Sequence, residues 1–145
     1  MNKELNIALI GCGNWGKNIA RDLHDMGHLA CIYDTNTKIS EKLSHEYMLP
    51  TIKLNKIFED QKIKAIIIAS PAITHKDLAI EALKNDKDVF IEKPFCLSLP
   101  SAKKLSELAE NRNRVLMVGH LLNYHNAFIE MKKLIKNGKI GVPQN

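Results

Sequence analysis

Several features that would mark a specialised class of protein are missing from this sequence. Its 145 residues include only three cysteines, Cys12, Cys31 and Cys96, and their wide spacing matches neither a disulfide framework nor a zinc site. The longest unbroken apolar run, AIIIA at 65–69, is far shorter than the ~20 residues that cross a membrane. No signal-type cleavage site follows the first apolar stretch. We therefore expect a cytoplasmic protein with free thiols, no metal site and no membrane association.

Blocks of like charge are also scarce. The net charge is +5, but basic residues alternate with acidic ones along most of the chain, and only MKKLIKNGK at 131–139 is locally basic. A solvated helix face explains this segment better than a nucleic-acid site, because net charge bears on solubility and steering rather than on a defined site. We expect no nucleic-acid partner.

Strand-like apolar runs alternate with helical patterns along the chain, which is long enough for about one domain. Strands are predicted at 5–10, 29–34, 49–52, 63–70, 88–92 and 114–120. Amphipathic helical patterns lie between most of them and after the last, where Asn126 is expected to cap the final helix. This alternation predicts a Rossmann-type, doubly wound α/β fold, with a mostly parallel sheet and helices on both faces.

The stretch GCGNWG at 11–16 lies between a predicted strand and a predicted helix. In such a unit Gly11 permits a tight turn, Gly13 lets a diphosphate approach the backbone, and Gly16 allows close packing of helix and strand. The start of the helix then offers unpaired amides to the phosphates. A plain turn with glycines for steric reasons is the alternative, but the flanking elements favour a dinucleotide site.

Asp34 ends the second predicted strand, 18 residues after Gly16. Dinucleotide-binding domains place an acidic residue about 20 residues further on, where it binds the adenosine ribose. The negative charge would repel a 2′-phosphate, and Lys38 is the only cation close behind it. We therefore expect NAD as the cofactor in preference to NADP. Asp34 could cap the next helix as well.

SPAITH at 70–75 follows the clearest predicted strand. Ligands of open parallel sheets bind at the carboxyl ends of the strands, so Ser70 and Pro71 are expected beside the cofactor. His75 falls in the first turn of the next helix. It is either a cofactor contact or an exposed helix residue.

EKP at 92–94 also follows a strand. At this position Lys93 can hydrogen-bond a substrate hydroxyl and assist removal of its proton as hydride leaves. A cis Lys93–Pro94 bond is possible, since the bond before a proline tolerates cis far better than other peptide bonds.

Together these motifs resemble the N-terminal domain of the glucose–fructose oxidoreductase, inositol 2-dehydrogenase and MocA (Gfo/Idh/MocA) family. The resemblance runs from about residue 5 to 141 and includes VGHLLNYHNAF at 118–128. It implies a cofactor-binding domain over 1–140 of an oxidoreductase that passes hydride from a hydroxyl of a sugar, sugar acid or nucleotide sugar to NAD. One departure is Asn126, where many relatives have proline.

The resemblance also implies roles for individual residues. The diphosphate would lie against Gly11, Gly13, Asn14, Trp15 and Gly16, and the ribose against Asp34. The rest of the cofactor would contact Ser70, Pro71, His75, Glu92 and Lys93, with Glu92 at the nicotinamide ribose. Lys93 would be the catalytic residue, and the sugar would contact Lys93, His120 and Tyr124.

Family members continue into a second domain, and residues 141–145 are interpreted as its start. We therefore expect the isolated chain to bind NAD with little turnover, and its uncovered contact face to favour a homo-oligomer. Two alternatives remain. One is a non-catalytic NAD-binding module or truncated gene product, which would have the same cofactor residues. The other is a Rossmann-like nucleic-acid-binding domain, as in some repressors, which the glycine turn and Asp34 disfavour.

Overall fold

The computed structural model describes residues 6–141, and a sheet of five parallel strands lies at its centre. The strands are β1 (Ile7–Ile10), β2 (Leu29–Tyr33), β3 (Ala65–Ile68), β4 (Asp88–Ile91) and β5 (Leu116–Val118). Their spatial order is β2-β1-β3-β4-β5. The first strand, β1, is therefore an interior strand, with β2 on one side of it and β3, β4 and β5 on the other. This confirms the predicted Rossmann-type topology.

Six helices and one 3₁₀ turn connect and flank the strands of residues 6–141. They are α1 (Asn14–Asp25), α2 (Thr37–Glu46), α3 (Leu54–Glu59), α4 (Ala72–Lys84), α5 (Leu99–Asn111), the 3₁₀ turn (Leu121–Tyr124) and α6 (Asn126–Lys136). The cap of α5 is readable from sequence, because the Ser98 side chain accepts a hydrogen bond from the Ser101 amide and Pro100 lies in the first turn.

The hydrophobic core has two parts, one on each face of the sheet. Ile7 and Leu9 of β1 pack with α1 and α2, whereas Ala8 and Ile10 pack with α3, α4 and α5. All four residues are buried. A strand covered on both faces needs apolar side chains at every position, which explains why IALI shows no polar alternation.

The carboxyl ends of the strands are level. Ile10 pairs with both Tyr33 and Ile68, Ile68 pairs with Ile91, and Ile91 pairs with Val118. Backbone hydrogen bonds continue for one more residue, as the Glu92 amide donates to the Ile68 carbonyl at 2.9 Å. The residues that directly follow the five strands therefore share one edge: Gly11, Asp34, Ala69, Glu92 and Gly119.

Some predicted boundaries were wrong. Residues 49–52 form no strand, since only Thr51 makes a bridge, to Ile32. Helix α3 follows and was missed because six residues are too few to show a helical period, although Ile57 and Phe58 are buried. The cap of α6 is His125 rather than Asn126. Apart from Gly141, the predicted start of a second domain lies outside the described residues.

Lys87 is buried on the opposite edge of the sheet, just before β4. Its ammonium donates a hydrogen bond to the Asp60 carbonyl at 2.7 Å. Burial, with a smaller effect of Lys64, lowers the pKa of Lys87 from its ordinary value of 10.5. Between the lowered pKa of the folded state and the ordinary pKa of the unfolded state, Lys87 is protonated in the unfolded chain but largely neutral in the folded one. The free energy of unfolding therefore rises with pH in that window.

We predict that the free energy of unfolding of the wild type, relative to Lys87→Met, increases as the pH is raised from about 8 to about 10.5. Methionine keeps the apolar stem but carries no titrating amine, and other groups cancel in the difference. Urea denaturation at both pH values measures it. Lys84→Met, at an exposed position of α4, is the matched control and should show no such change. A Lys87 difference that is constant with pH would contradict the prediction.

Candidate functional site

The three glycines of the turn between β1 and α1 are needed for different reasons. Gly11 has φ +98°, and a Cβ atom there would come within 2.5 Å of the Ala69 and Ser70 backbone. A Cβ on Gly16 would overlap the Gly11 carbonyl. Gly13 has an ordinary φ of −64°, and apart from its two chain neighbours no residue of 6–141 has an atom within 4 Å of the place its Cβ would take. The fold itself therefore requires Gly11 and Gly16 but leaves open space above Gly13.

The start of α1 presents free donors to this space. The first intrahelical hydrogen bond runs from the Lys17 amide to the Gly13 carbonyl at 3.1 Å. The amides of Gly13, Asn14, Trp15 and Gly16 have no protein acceptor within residues 6–141, and the first turn contains no acidic residue. An uncompensated helix N-terminus of this kind attracts an anion.

Asp34 holds the glycine turn against the end of β2. Its Oδ2 accepts a hydrogen bond from the Cys12 amide at 2.7 Å, and its Oδ1 accepts one from the Asn36 amide at 2.8 Å. A carboxylate oxygen can accept two hydrogen bonds, so both oxygens keep room for a ligand hydroxyl.

Burial, together with the charge of Asp34, raises the pKa of the Cys12 thiol to about 12, so Cys12 is not a reactive thiolate.

A cavity of about 590 Å³ opens between the glycine turn, Asp34 and the end of β3. It is lined by Gly11, Gly13, Asp34, Ser70 and Pro71, and by the larger side chains of Tyr33, Ile39, Leu54 and Leu78. Three of the apolar residues, Ile39, Leu54 and Leu78, come from the helices α2, α3 and α4. The cavity thus combines an apolar surface, a carboxylate and a helix N-terminus.

His75 lies behind the cavity wall rather than on it. The ring is 1% exposed, with Nε2 at 2.8 Å from the Ser70 carbonyl and Nδ1 at 2.9 Å from the Pro94 carbonyl. It therefore joins the loops that follow β3 and β4. The burial of His75 shows that the alternative of an exposed helix residue was wrong, and a direct cofactor contact stays a prediction.

Glu92 is buried at the end of β4, and both of its carboxylate oxygens accept hydrogen bonds. The Trp15 indole Nε1 donates to Oε1 at 2.8 Å, and the Lys93 amide donates to Oε2 at 3.3 Å. A second cavity, of about 360 Å³, lies here between Trp15, Ser70, Glu92, Lys93 and Leu121.

Lys93 is exposed and lines both this cavity and a third one of about 550 Å³. The Lys93–Pro94 bond is cis, the form that the sequence left open. His120 lines the third cavity with Lys93, whereas Tyr124 is 66% exposed and does not line it. The structure thus brings two of the three predicted substrate residues to one cavity.

The three cavities adjoin one another along the carboxyl edge of the sheet. Ser70 borders the first and second, and Lys93 and Leu121 border the second and third. Sequence reasoning missed several of the residues that shape this crevice, namely Gly119, Leu121, Ile39, Leu54 and Leu78. For Gly119 a signal was present, since it is a glycine directly after a strand.

Residues 6–141 contain no cluster of metal-binding side chains, and no helix among them is long and apolar enough to span a membrane.

Comparison with known proteins gives an independent result. Residues 5–120 match the family model of Gfo/Idh/MocA, described as an oxidoreductase family with an NAD-binding Rossmann fold. The chain is 31% identical over 140 residues to 2,7-anhydro-N-acetylneuraminate hydratase from Escherichia coli (strain K12), covering 94% of this chain and 37% of that protein. It is 30% identical over 148 residues to scyllo-inositol 2-dehydrogenase (NAD(+)) from Bacillus subtilis (strain 168), covering 99% and 43%.

A solved structure of GenD2 from gentamicin A biosynthesis in complex with NAD superimposes with a TM-score of 0.89 at 25% identity, over 96% of this chain and 41% of that one. The chain therefore spans about two-fifths of the length of the relatives that it matches.

We predict that alanine destabilises the fold far more at Gly11 than at Gly13. Gly11→Ala should destabilise the fold by about 2 kcal/mol or more, because the methyl group meets backbone atoms and φ is positive. Gly13→Ala should cost less than about 1 kcal/mol, since only a weaker helix cap results. Urea denaturation measures both. Equal losses would show that the fold, and not a ligand, needs Gly13.

Proposed function

Because the chain belongs to the Gfo/Idh/MocA oxidoreductase family, we propose that it is the cofactor-binding part of an enzyme that passes hydride from a sugar-type hydroxyl to NAD. The observation that carries this proposal is the open space above Gly13, directly in front of four unpaired amides at the start of α1. Apart from the chain neighbours of Gly13, no atom of residues 6–141 fills that space, and no acceptor of those residues binds the four amides. A diphosphate fits both, because its oxygens accept hydrogen bonds and its charge suits the helix N-terminus.

We assign the first cavity to the adenosine half of the cofactor. Asp34 would accept hydrogen bonds from the ribose hydroxyls, with each oxygen held in place by a backbone amide. Ile39, Leu54 and Leu78 offer apolar surface for a flat base. A phosphate on the ribose would face the carboxylate at short range, which supports NAD over NADP.

The second and third cavities would hold the reacting groups. The nicotinamide ring, when bound, supplies the hydride acceptor. Lys93 borders both of these cavities, so its side chain would lie beside a substrate hydroxyl and, in its neutral amine form, would accept the hydroxyl proton as hydride leaves for the ring. His120 would contact the substrate from the opposite part of the third cavity. Tyr124, being largely exposed, would join only through a further movement or partner.

The substrate class and the net reaction are the most specific parts of this proposal. One relative is named as a hydratase and another as a dehydrogenase, so family membership does not decide the net reaction. The position of Lys93 at the junction of two cavities favours hydroxyl oxidation. A non-catalytic NAD-binding module would share the site as far as Glu92 but would make no use of Lys93. We also propose a location in the cytoplasm and a homo-oligomer as the assembly.

We predict that NAD and NADH raise the melting temperature more than NADP and NADPH do in a thermal-shift titration. A ligand that binds only the folded state stabilises it by about 2.7 kcal/mol at a hundredfold excess over its dissociation constant. In Asp34→Asn the charge is lost while an oxygen acceptor remains, so the preference for NAD should fall about tenfold. Asp25→Asn, at the far end of α1, is the matched control and should keep the preference.

Two outcomes would contradict this proposal in different ways. Equal stabilisation by NAD and NADP in the wild type would refute the role of Asp34 in cofactor choice. No stabilisation by any of the four dinucleotides would refute cofactor binding at this crevice.

A further inference from the structure

Trp15 connects two loops that are not neighbours in the sheet. It belongs to the first turn of α1, which follows β1, and its indole donates to Glu92, which follows β4. Strand β3 lies between β1 and β4, so the side chain crosses the carboxyl end of β3. The indole therefore forms a bridge over Ala69 and Ser70, with which it lines the second cavity.

The Glu92 carboxylate depends on this bridge. Its residue is only 8% exposed, and no basic side chain of residues 6–141 forms an ion pair with it. A buried carboxylate needs hydrogen-bond donors to replace water. The donors present are the Trp15 indole on Oε1 and the Lys93 amide on Oε2, and the latter bond is long at 3.3 Å. Trp15 is thus the main group that orients Glu92.

Gly119 lies close to Oε1, the same Glu92 oxygen that accepts the Trp15 hydrogen bond. A Cβ atom there would lie 2.9 Å from Glu92 Oε1 and 3.0 Å from the Phe90 ring. The φ angle of Gly119 is outside the left-handed region, so the backbone does not require glycine. The absence of a side chain at residue 119 therefore leaves room for the Glu92 carboxylate where it accepts the indole hydrogen bond.

We propose that Trp15 is a positioning residue for the nicotinamide half of the cofactor, acting through its indole on the Glu92 carboxylate. This inference rests on the proposed function and deepens it. The family resemblance implies a diphosphate contact for Trp15, and its backbone amide suits that role. Its side chain serves a separate one, because it points into the second cavity and away from the space above Gly13. Replacing the indole while keeping the amide separates the two roles.

The test compares NADH with ADP-ribose, which has the same diphosphate and adenosine but no nicotinamide. In Trp15→Phe, which lacks the N–H donor, the dissociation constant of NADH should rise about tenfold while that of ADP-ribose changes less than about twofold. Gly119→Ala should show the same selectivity, because its methyl group would displace the Glu92 oxygen that accepts the indole hydrogen bond. Met117→Ala, two residues earlier on β5, is the control and should change neither constant. Isothermal calorimetry measures all of them.

A second test follows an NMR signal of Trp15 instead of a dissociation constant. Trp15 is the only tryptophan, so one indole N–H signal appears in a ¹H–¹⁵N spectrum. Glu92→Gln should move this signal in the free protein, and NADH should move it far more than ADP-ribose does in the wild type. Equal effects of both ligands on the signal, or equal weakening of both in Trp15→Phe, would overturn the inference. If neither ligand binds the wild type, the cofactor proposal itself fails, which is a distinct result.

Discussion

The parallel register of the sheet is the constraint on which the site depends. Because neighbouring strands pair so that all five end level, the residues that follow them arrive at one edge although they are far apart in the chain. Gly11, Asp34, Ala69, Glu92 and Gly119 form this row. A shift of one strand by one residue would move its terminal residue out of the crevice and send each of its side chains to the opposite face of the sheet. The crevice is therefore a consequence of backbone hydrogen bonding before any side chain contributes.

Side-chain hydrogen bonds then fasten the loops of this edge to one another. Asp34 joins the loop after β2 to the glycine turn, His75 joins the loops after β3 and β4, and Trp15 joins the glycine turn to Glu92. Each contact links segments that would otherwise be held only by their own strands. A site whose groups are fixed before the ligand arrives loses less conformational freedom on binding.

The strands and the glycine turn were predictable because their signals are local. IALI is apolar at every position as a strand buried on both faces must be, and the turn follows it at once. Helix α3 was not predictable, since its six residues are too few to show a helical period. His75 could not be placed either. A histidine in a first turn gives no sign that Pro94, 19 residues later, will bring a carbonyl to its ring.

From the residue pattern one can infer the fold class, the glycine turn and the level at which Asp34 and Glu92 emerge from the sheet. Only the folded molecule decides what these side chains contact. Trp15 and Glu92 are 77 residues apart in the sequence. They meet because only β3 lies between β1 and β4, the strands that they follow, and because the carboxyl ends of these strands are level. Periodicity reports the environment of a residue within its own helix or strand. The order of strands in space, which selects distant partners, is set by packing of the whole chain.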